Sequence, residues 1–187
     1  MTVNPMRLRL SSLVLGIALA ACAPALEASS PRPVPVTPDR EEARRSVGAV
    51  LDAFHAAAAS ADEARYFAHF ARGGVFLGTD ATERWDVEAF RAYAHPHFAK
   101  GKAWVFRAAR RTVTLSDSGT VAWFDEDLVT EKMGPARGSG VLVLEDGVFR
   151  IAQYNLTITV PNERFDSVRD MLAAPAQPAP SSVTTPP

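Results

Sequence analysis

The sequence predicts an α+β domain in which three N-terminal helices pack on one face of an antiparallel sheet. Apolar residues recur at helical spacing between positions 47 and 98, whereas from 102 onward they form runs separated by turn residues. The part expected to fold, residues 39–171, has the length of one ordinary domain. The 187-residue chain has a formal net charge of −1 and no basic stripe, so nucleic-acid binding is not expected.

Two apolar stripes with start and stop signals predict the first two helices. Val47, Leu51 and Phe54 share one helical face, and Thr37-Pro38 offers a cap with proline at the first helical position. The sequence 60–63, SADE, is a capping box that opens a second helix. We expect that helix to run to about Ala71, because the glycines at 73 and 74 stop it.

The third helix is expected to begin at Asp86, which is a suitable N-cap residue. Its apolar positions fall between Val87 and Phe98 at helical spacing. Pro96 lies inside this pattern, so the sequence predicts a kink or an early end at that point.

The remaining elements are strands that alternate with turn residues. Asp146-Gly147 is a strong hairpin signal. We interpret Gly138-Ser139-Gly140 as a strand position where small residues allow close approach of another backbone segment. The strands are expected at residues 75–79, 102–116, 120–130, 138–145 and 148–160.

Residues 1–21 are typical of a signal peptide. Arg7 and Arg9 precede the uncharged stretch Leu10 to Ala21, which is too short to span a bilayer as a helix. The stretch ends in Leu-Ala-Ala followed by Cys22, which resembles the lipobox of bacterial lipoproteins. Because Cys22 is the only cysteine, we expect it to carry acyl chains such as palmitate that anchor the protein. The alternative is an ordinary secretion signal with a chance cysteine.

Two Pro-rich segments flank the expected domain. Residues 22–38 are rich in Pro, Ser and Ala and are expected to form an extended tether. Residues 172–187 have almost nothing to bury and are expected to be disordered. Ala23 follows the cysteine, where an aspartate would often mean inner-membrane retention in Gram-negative lipoproteins. The expected location is therefore the cell envelope, at the outer membrane rather than the inner one.

The order of elements and four segments resemble the NTF2-like superfamily, and more narrowly its SnoaL-like branch. The segments are VFLGTDATERW, VAWFDEDL, GSGVLVLEDGVFRIAQYNL and VPN, and the resemblance covers about Val47 to Asn162. It implies a curved sheet that forms a cone with a pocket between sheet and helices, and dimerisation through the outer sheet face. The superfamily includes polyketide cyclases, ketosteroid isomerases, dehydratases and binding modules, so the fold does not determine the reaction.

The resemblance also implies where catalytic residues would lie. Ketosteroid isomerases use a tyrosine on helix 1, an acidic base after helix 2 and a protonated acid on a central strand. The corresponding positions here fall near Phe54 and His55, near Gly78, and near Arg137 or Gly138. The catalytic residues of the ketosteroid isomerases are absent at these positions, so ketosteroid isomerase activity is not expected. SnoaL-type cyclases use an aspartate in the cone, for which Asp80 and Asp125 are the candidates.

Alternation along the last strand predicts which residues face the pocket. Phe149 and Ile151 are expected to pack against the helices, which places Gln153 and Asn155 on the same inner face. Two amides in an apolar cavity need partners. A ligand would supply them, or else helix ends and buried water would.

In the strand VAWFDEDLV, the alternation of residues does not show which face points towards the pocket. Trp123 and Asp125 share one face, and Phe124 and Glu126 share the other, so each face combines an aromatic with an acid. We favour Trp123 and Asp125 as the pocket residues, with Glu126 as the rival. An acid in an apolar pocket would have a raised pKa and could act as a base. The alternative is an edge carboxylate paired with a neighbouring arginine.

Three further residues are pocket candidates. Asp80, on the link to helix 3, either points into the cone or holds the turn beneath it. Trp104 is a pocket wall or a core residue, and His69 on helix 2 is a pocket residue or an exposed one. The sequence His95-Pro96-His97 lacks a third ligand, so no metal site is expected, and no cofactor motif is present.

The sequence therefore predicts a lipid-anchored domain that binds a small, partly apolar molecule in the cone. One alternative is an enzyme of the cyclase, isomerase or dehydratase kind with Asp80 or Asp125 as general base. Another is a dimeric interaction module whose cone is filled by its own side chains.

Overall fold

The computed structural model describes residues 39–101 and 103–173. The predicted signal peptide, Cys22, the tether and the Pro-rich tail from residue 174 onward lie outside the described residues. None of the described helices is long and apolar enough to cross a membrane. The described elements are α1 Arg40–Ala59, α2 Glu63–Ala68, β1 Phe70–Leu77, β2 Arg84–Asp86, α3 Val87–Ala99, β3 Arg107–Leu115, β4 Val121–Val129, β5 Ala136–Glu145, β6 Val148–Ile158, a 3-10 helix Asn162–Arg164 and α4 Phe165–Ala173.

The six described strands form one sheet in the order β2-β1-β6-β5-β4-β3. All neighbouring pairs are antiparallel except β1 and β6, which run parallel. Helix α1 packs against β3 and β6, and α3 packs against β1 and β2. The predicted α+β class, with helices on a curved sheet, is confirmed.

The first two helices begin at aspartate caps. The Asp39 side chain accepts a hydrogen bond from the backbone N–H of Glu41 at 3.2 Å, and α1 buries the predicted apolar stripe. The Asp62 side chain accepts one from the N–H of Arg65 at 3.0 Å, so Asp62 rather than Ser60 caps α2. Each cap satisfies a backbone donor that has no partner within its helix.

The second helix is shorter than its apolar pattern predicts. It ends at Ala68, and Phe70 already belongs to β1, so the expected end near Ala71 was wrong. The cause is pairing with β6: the Ile151 N–H donates to the His69 carbonyl at 2.8 Å. A Cβ on Gly74 would lie 2.8 Å from the Ile151 carbonyl oxygen, so only glycine allows this close approach.

Two other boundaries differ from expectation. Helix α3 continues through Pro96 to Ala99, so the expected early end was wrong. Pro96 lies in the last turn, where the missing N–H removes a backbone hydrogen bond only near the helix end. Strand β3 begins at Arg107 rather than at residue 102, and the residues from 103 to 106 have no regular structure.

A β-bulge in β6 reverses the predicted faces of that strand. Val141 of β5 pairs with Gln153, whereas Leu142 pairs with Ile151, so Ala152 is an extra residue. Phe149 and Ile151 point inward as predicted, but beyond the bulge the buried residues are Tyr154 and Leu156. The prediction that Gln153 and Asn155 point into the pocket was therefore wrong.

The small residues of β5 make this arrangement possible. A Cβ on Gly140 would collide with the backbone of Gln153 next to the bulge. A Cβ on Gly138 would collide with the Tyr154 hydroxyl and would lie 2.9 Å from Oε1 of Glu126. The interpretation of this segment as a site of close approach is confirmed.

Candidate functional site

A cavity of about 200 Å³ opens next to the inner face of the sheet, among residues of the three N-terminal helices. Most of its wall is aromatic. Its lining residues are Phe54, His55, Tyr66, Phe76, Gly78, Thr79, Glu83, Trp85, Phe90, Tyr93, Trp104, Phe106, Met133, Tyr154 and Leu156.

The aromatic residues of the wall pack in stacked pairs. Phe76 lies 3.9 Å from Phe90 between ring centroids, with 13° between the ring planes. Trp85 and Tyr93 stack at 4.6 Å and 22°. Rings that support one another in this way form a rigid apolar wall.

The Tyr66 hydroxyl is a polar atom within this apolar wall. Its ring stacks on Phe54 at 4.3 Å, and its oxygen is buried without a hydrogen-bond partner among the described residues. Burial raises the pKa of Tyr66 well above its ordinary value, and the nearby Trp104 side chain offsets only part of this rise. The group therefore stays a neutral hydroxyl.

Glu126 lies on β4 next to this cavity and is 0% exposed. Its Oε1 accepts hydrogen bonds from His55 Nε2 at 2.6 Å and from the Tyr154 hydroxyl at 2.9 Å. Its Oε2 accepts one from Arg111 Nε at 2.7 Å. Both carboxylate oxygens are thus satisfied, and the side chain joins α1, β3 and β6 to β4.

Arg111 extends the network towards α1. Its Nη1 donates to the Gly48 carbonyl at 3.1 Å and to Asp52 Oδ1 at 2.8 Å. Burial lowers the pKa of Arg111, but the charges and hydrogen bonds of Glu126 and Asp52 outweigh that effect and raise it. Arg111 therefore remains the cation that compensates the buried carboxylate.

The protonation state of Glu126 fixes the hydrogen positions around it. Burial raises the pKa of Glu126, but the hydrogen bond and charge of His55 and those of Arg111 outweigh it, so the pKa is lowered. The pKa of Tyr154 is raised by burial and by Glu126. Glu126 is therefore an acceptor only, and both His55 Nε2 and the Tyr154 hydroxyl donate to it. His55 Nδ1 forms no hydrogen bond with any residue in the described ranges.

The predicted faces of β4 were wrong. Trp123 is 49% exposed, and Asp125 is exposed on the same outer face, whereas Phe124 and Glu126 are buried. Arg111 lies directly opposite Glu126 in the β3–β4 ladder. A buried carboxylate is stable only with such a partner, so the position of Arg111 explains which acid points inward.

The other pocket candidates lie in different places. Asp80 is exposed, and its side chain accepts from the N–H of Thr82 at 2.8 Å and from its hydroxyl at 2.6 Å. These bonds lower the pKa of Asp80 and hold the turn, so Asp80 does not line the cavity. Trp104 does line it. His69 does not: its ring packs edge-on against Phe54, with 6.3 Å between the ring centroids.

Sequence reasoning missed His55 and Glu83 as lining residues. His55 follows Val47 and Leu51 at intervals of four, so it falls on the apolar face of α1, which was a usable signal. Glu83 gave no comparable signal, because it lies in a polar link between two strands.

The matching family model agrees with this architecture. Residues 47–161 match the model described as "SnoaL-like domain". The chain belongs to the SnoaL-like family. The predicted family resemblance is thereby confirmed. No curated protein matches the chain.

Solved structures show the same fold at low sequence identity. An NTF2-like protein of unknown function from Pseudomonas putida is 14% identical with a TM-score of 0.55, over 66% of this chain and 91% of that one. A protein from Novosphingobium aromaticivorans, provisionally named an aromatic ring hydroxylase, is 15% identical with a TM-score of 0.56, over 65% and 92%. Another from that organism, provisionally named a scytalone dehydratase, is 10% identical with a TM-score of 0.53, over 62% and 83%. At these identities the likeness to solved structures establishes the NTF2-like fold alone.

Replacing Glu126 tests the network around it. Glu126→Ala leaves Arg111, His55 and Tyr154 without their shared acceptor, so the free energy of unfolding should fall by about 3–5 kcal/mol. Asp125→Ala is the matched control, because its exposed side chain on the next residue should change stability by no more than about 0.5 kcal/mol. Urea unfolding measures both. Equal effects of the two substitutions would contradict a structural role for the network.

Proposed function

We propose that this SnoaL-like domain binds a small, partly apolar molecule in its aromatic cavity. The observation that supports this most directly is a cavity of about 200 Å³ whose wall is mainly aromatic. The side chains of Thr79, Glu83 and His55 add polar groups to that wall. Apolar pockets with a few convergent polar groups are the usual form of small-molecule sites.

The size of the cavity limits the ligand. Pockets for drug-sized molecules have volumes of roughly 300–1,000 Å³. A volume of about 200 Å³ therefore favours a compact ligand with about one ring or a similar number of atoms. The same open volume argues against the alternative of an interaction module whose cone is filled by its own side chains.

An enzyme remains the second candidate, with a different base. Asp80 and Asp125 are exposed and do not line the cavity, so neither is retained. His55 does line it, and Glu126 holds its Nε2 at 2.6 Å. Because Nε2 is bonded to Glu126, Nδ1 is the ring nitrogen left to exchange a proton with a substrate. Glu126 would act as the positioning residue.

Native mass spectrometry with a blocked variant tests binding in the cavity. We expect a reproducible small-molecule adduct on the purified wild-type protein. Met133→Trp places a larger side chain in the lining and should abolish the adduct, whereas Lys132→Trp, at the exposed neighbouring position, should keep it. An adduct that survives Met133→Trp would place the ligand elsewhere.

We also propose that Cys22 anchors the protein to a membrane of the cell envelope, at the outer membrane if the cell is Gram-negative. The lipobox-like segment before Cys22 supports this location. A homodimer through the outer sheet face stays a prediction, which the exposed Trp123 on that face supports.

Replacing Cys22 tests the anchor. Cys22→Ser removes the thiol that takes the lipid, so metabolic labelling with a palmitate analogue should disappear and the protein should leave the membrane fraction. Ser30→Ala, in the same tether, is the control and should remain labelled. Labelling that persists in Cys22→Ser would contradict the proposal.

A further inference from the structure

We propose that the cavity selects small organic cations, with Glu83 as the counter-ion and the aromatic rings as the wall. The inference rests on the proposed function, because it names the chemical class of ligand for the same cavity. A quaternary or protonated amine with apolar substituents is the class that these groups fit.

The described part of the cavity wall contains an acidic side chain but no lysine or arginine. The described residues of the cavity wall include one carboxylate, Glu83, and neither lysine nor arginine. Glu83 forms no ion pair with any residue in the described ranges. Arg111, the buried cation nearby, is already compensated by Glu126 and Asp52. A carboxylate beside an apolar cavity favours a ligand of opposite charge.

Local structure directs Glu83 to the cavity. In the β1–β2 hairpin, Phe76 pairs with Trp85, and the Gly78 N–H donates to the Glu83 carbonyl at 2.8 Å. Residues two apart share a face, so Glu83 lies on the same side as Trp85 and opposite Gly78. A Cβ on Gly78 would collide with the Glu83 carboxylate and would lie 2.9 Å from the Glu83 Cβ. The missing side chain of Gly78 provides the space that the carboxylate occupies.

The buried network removes hydrogen-bond donors from the cavity. His55 Nε2 and the Tyr154 hydroxyl both donate to Glu126, at 2.6 and 2.9 Å. These two protons are therefore not available to a ligand. An anionic ligand would lack these two donors and would meet the Glu83 carboxylate, whereas a cation needs neither donor and is attracted by the carboxylate.

The aromatic wall adds to this preference. The face of an aromatic ring carries the negative part of its quadrupole, and tryptophan attracts cations most strongly. Trp85 lies two residues from Glu83 and stacks on Tyr93 at 4.6 Å, so indole and carboxylate are close in the chain and share one side of the cavity. Methyl groups on a cationic nitrogen would pack on these rings at little cost in desolvation.

Choline and its neutral analogue 3,3-dimethylbutan-1-ol test the inference, because they have the same shape and differ in charge. Isothermal titration should show choline binding about tenfold tighter than the alcohol to the wild-type protein. Glu83→Gln keeps an oxygen for its 3.1 Å bond from the Asp80 N–H and should abolish the difference. Glu88→Gln, an exposed acid on α3 outside the lining, should preserve it.

The outcomes separate this inference from the proposed function. If the alcohol binds as tightly as choline, cation selection is wrong and binding in the cavity stands. If the preference survives Glu83→Gln, the assigned counter-ion is wrong. If neither probe binds but a native adduct is lost in Met133→Trp, only the proposal that the ligand is a cation fails. If neither probe binds and no adduct is found, both proposals fail.

Discussion

A carboxylate with no solvent exposure lies at the centre of this domain, and the arrangement of the surrounding elements depends on satisfying it. Glu126 receives hydrogen bonds from His55 on α1, Arg111 on β3 and Tyr154 on β6. An uncompensated buried charge costs several kcal/mol, so these contacts constrain how the first helix lies on the sheet. Gly138 completes the arrangement, because a side chain there would displace the Tyr154 hydroxyl.

The same constraint determines the chemistry of the cavity. Glu126 accepts hydrogen bonds from His55 Nε2 and from the Tyr154 hydroxyl, so neither of these protons is available to a ligand. Glu83 is the carboxylate in the wall, and it lies outside this network. The network thus supports the fold and shapes ligand preference together.

Much of the fold follows from local sequence patterns, whereas the site depends on contacts between strands. The apolar stripe of α1 is a periodic feature that predicts a helix. The order of the predicted helices and strands predicts the family. The inner face of β4 is not encoded by periodicity, since each face has an aromatic and an acid; Arg111 across the ladder decides it. Gln153 was misplaced because alternation was continued unbroken from Ile151, whereas the bulge at Ala152 shifts the inward positions by one residue, to Tyr154 and Leu156.

The stabilising role of the Glu126 carboxylate is measured most directly by the pH dependence of unfolding in the wild type and in Glu126→Gln, at pH 5 and pH 3. The pKa of Glu126 is lowered in the folded state, so its stabilisation is complete above the unfolded value of about 4.3 and is lost as the pH falls through the folded value. If the ionised Glu126 stabilises the fold, the wild type exceeds the variant in free energy of unfolding at pH 5, and this difference shrinks at pH 3. A difference that stays constant or grows on acidification would contradict that stabilising role.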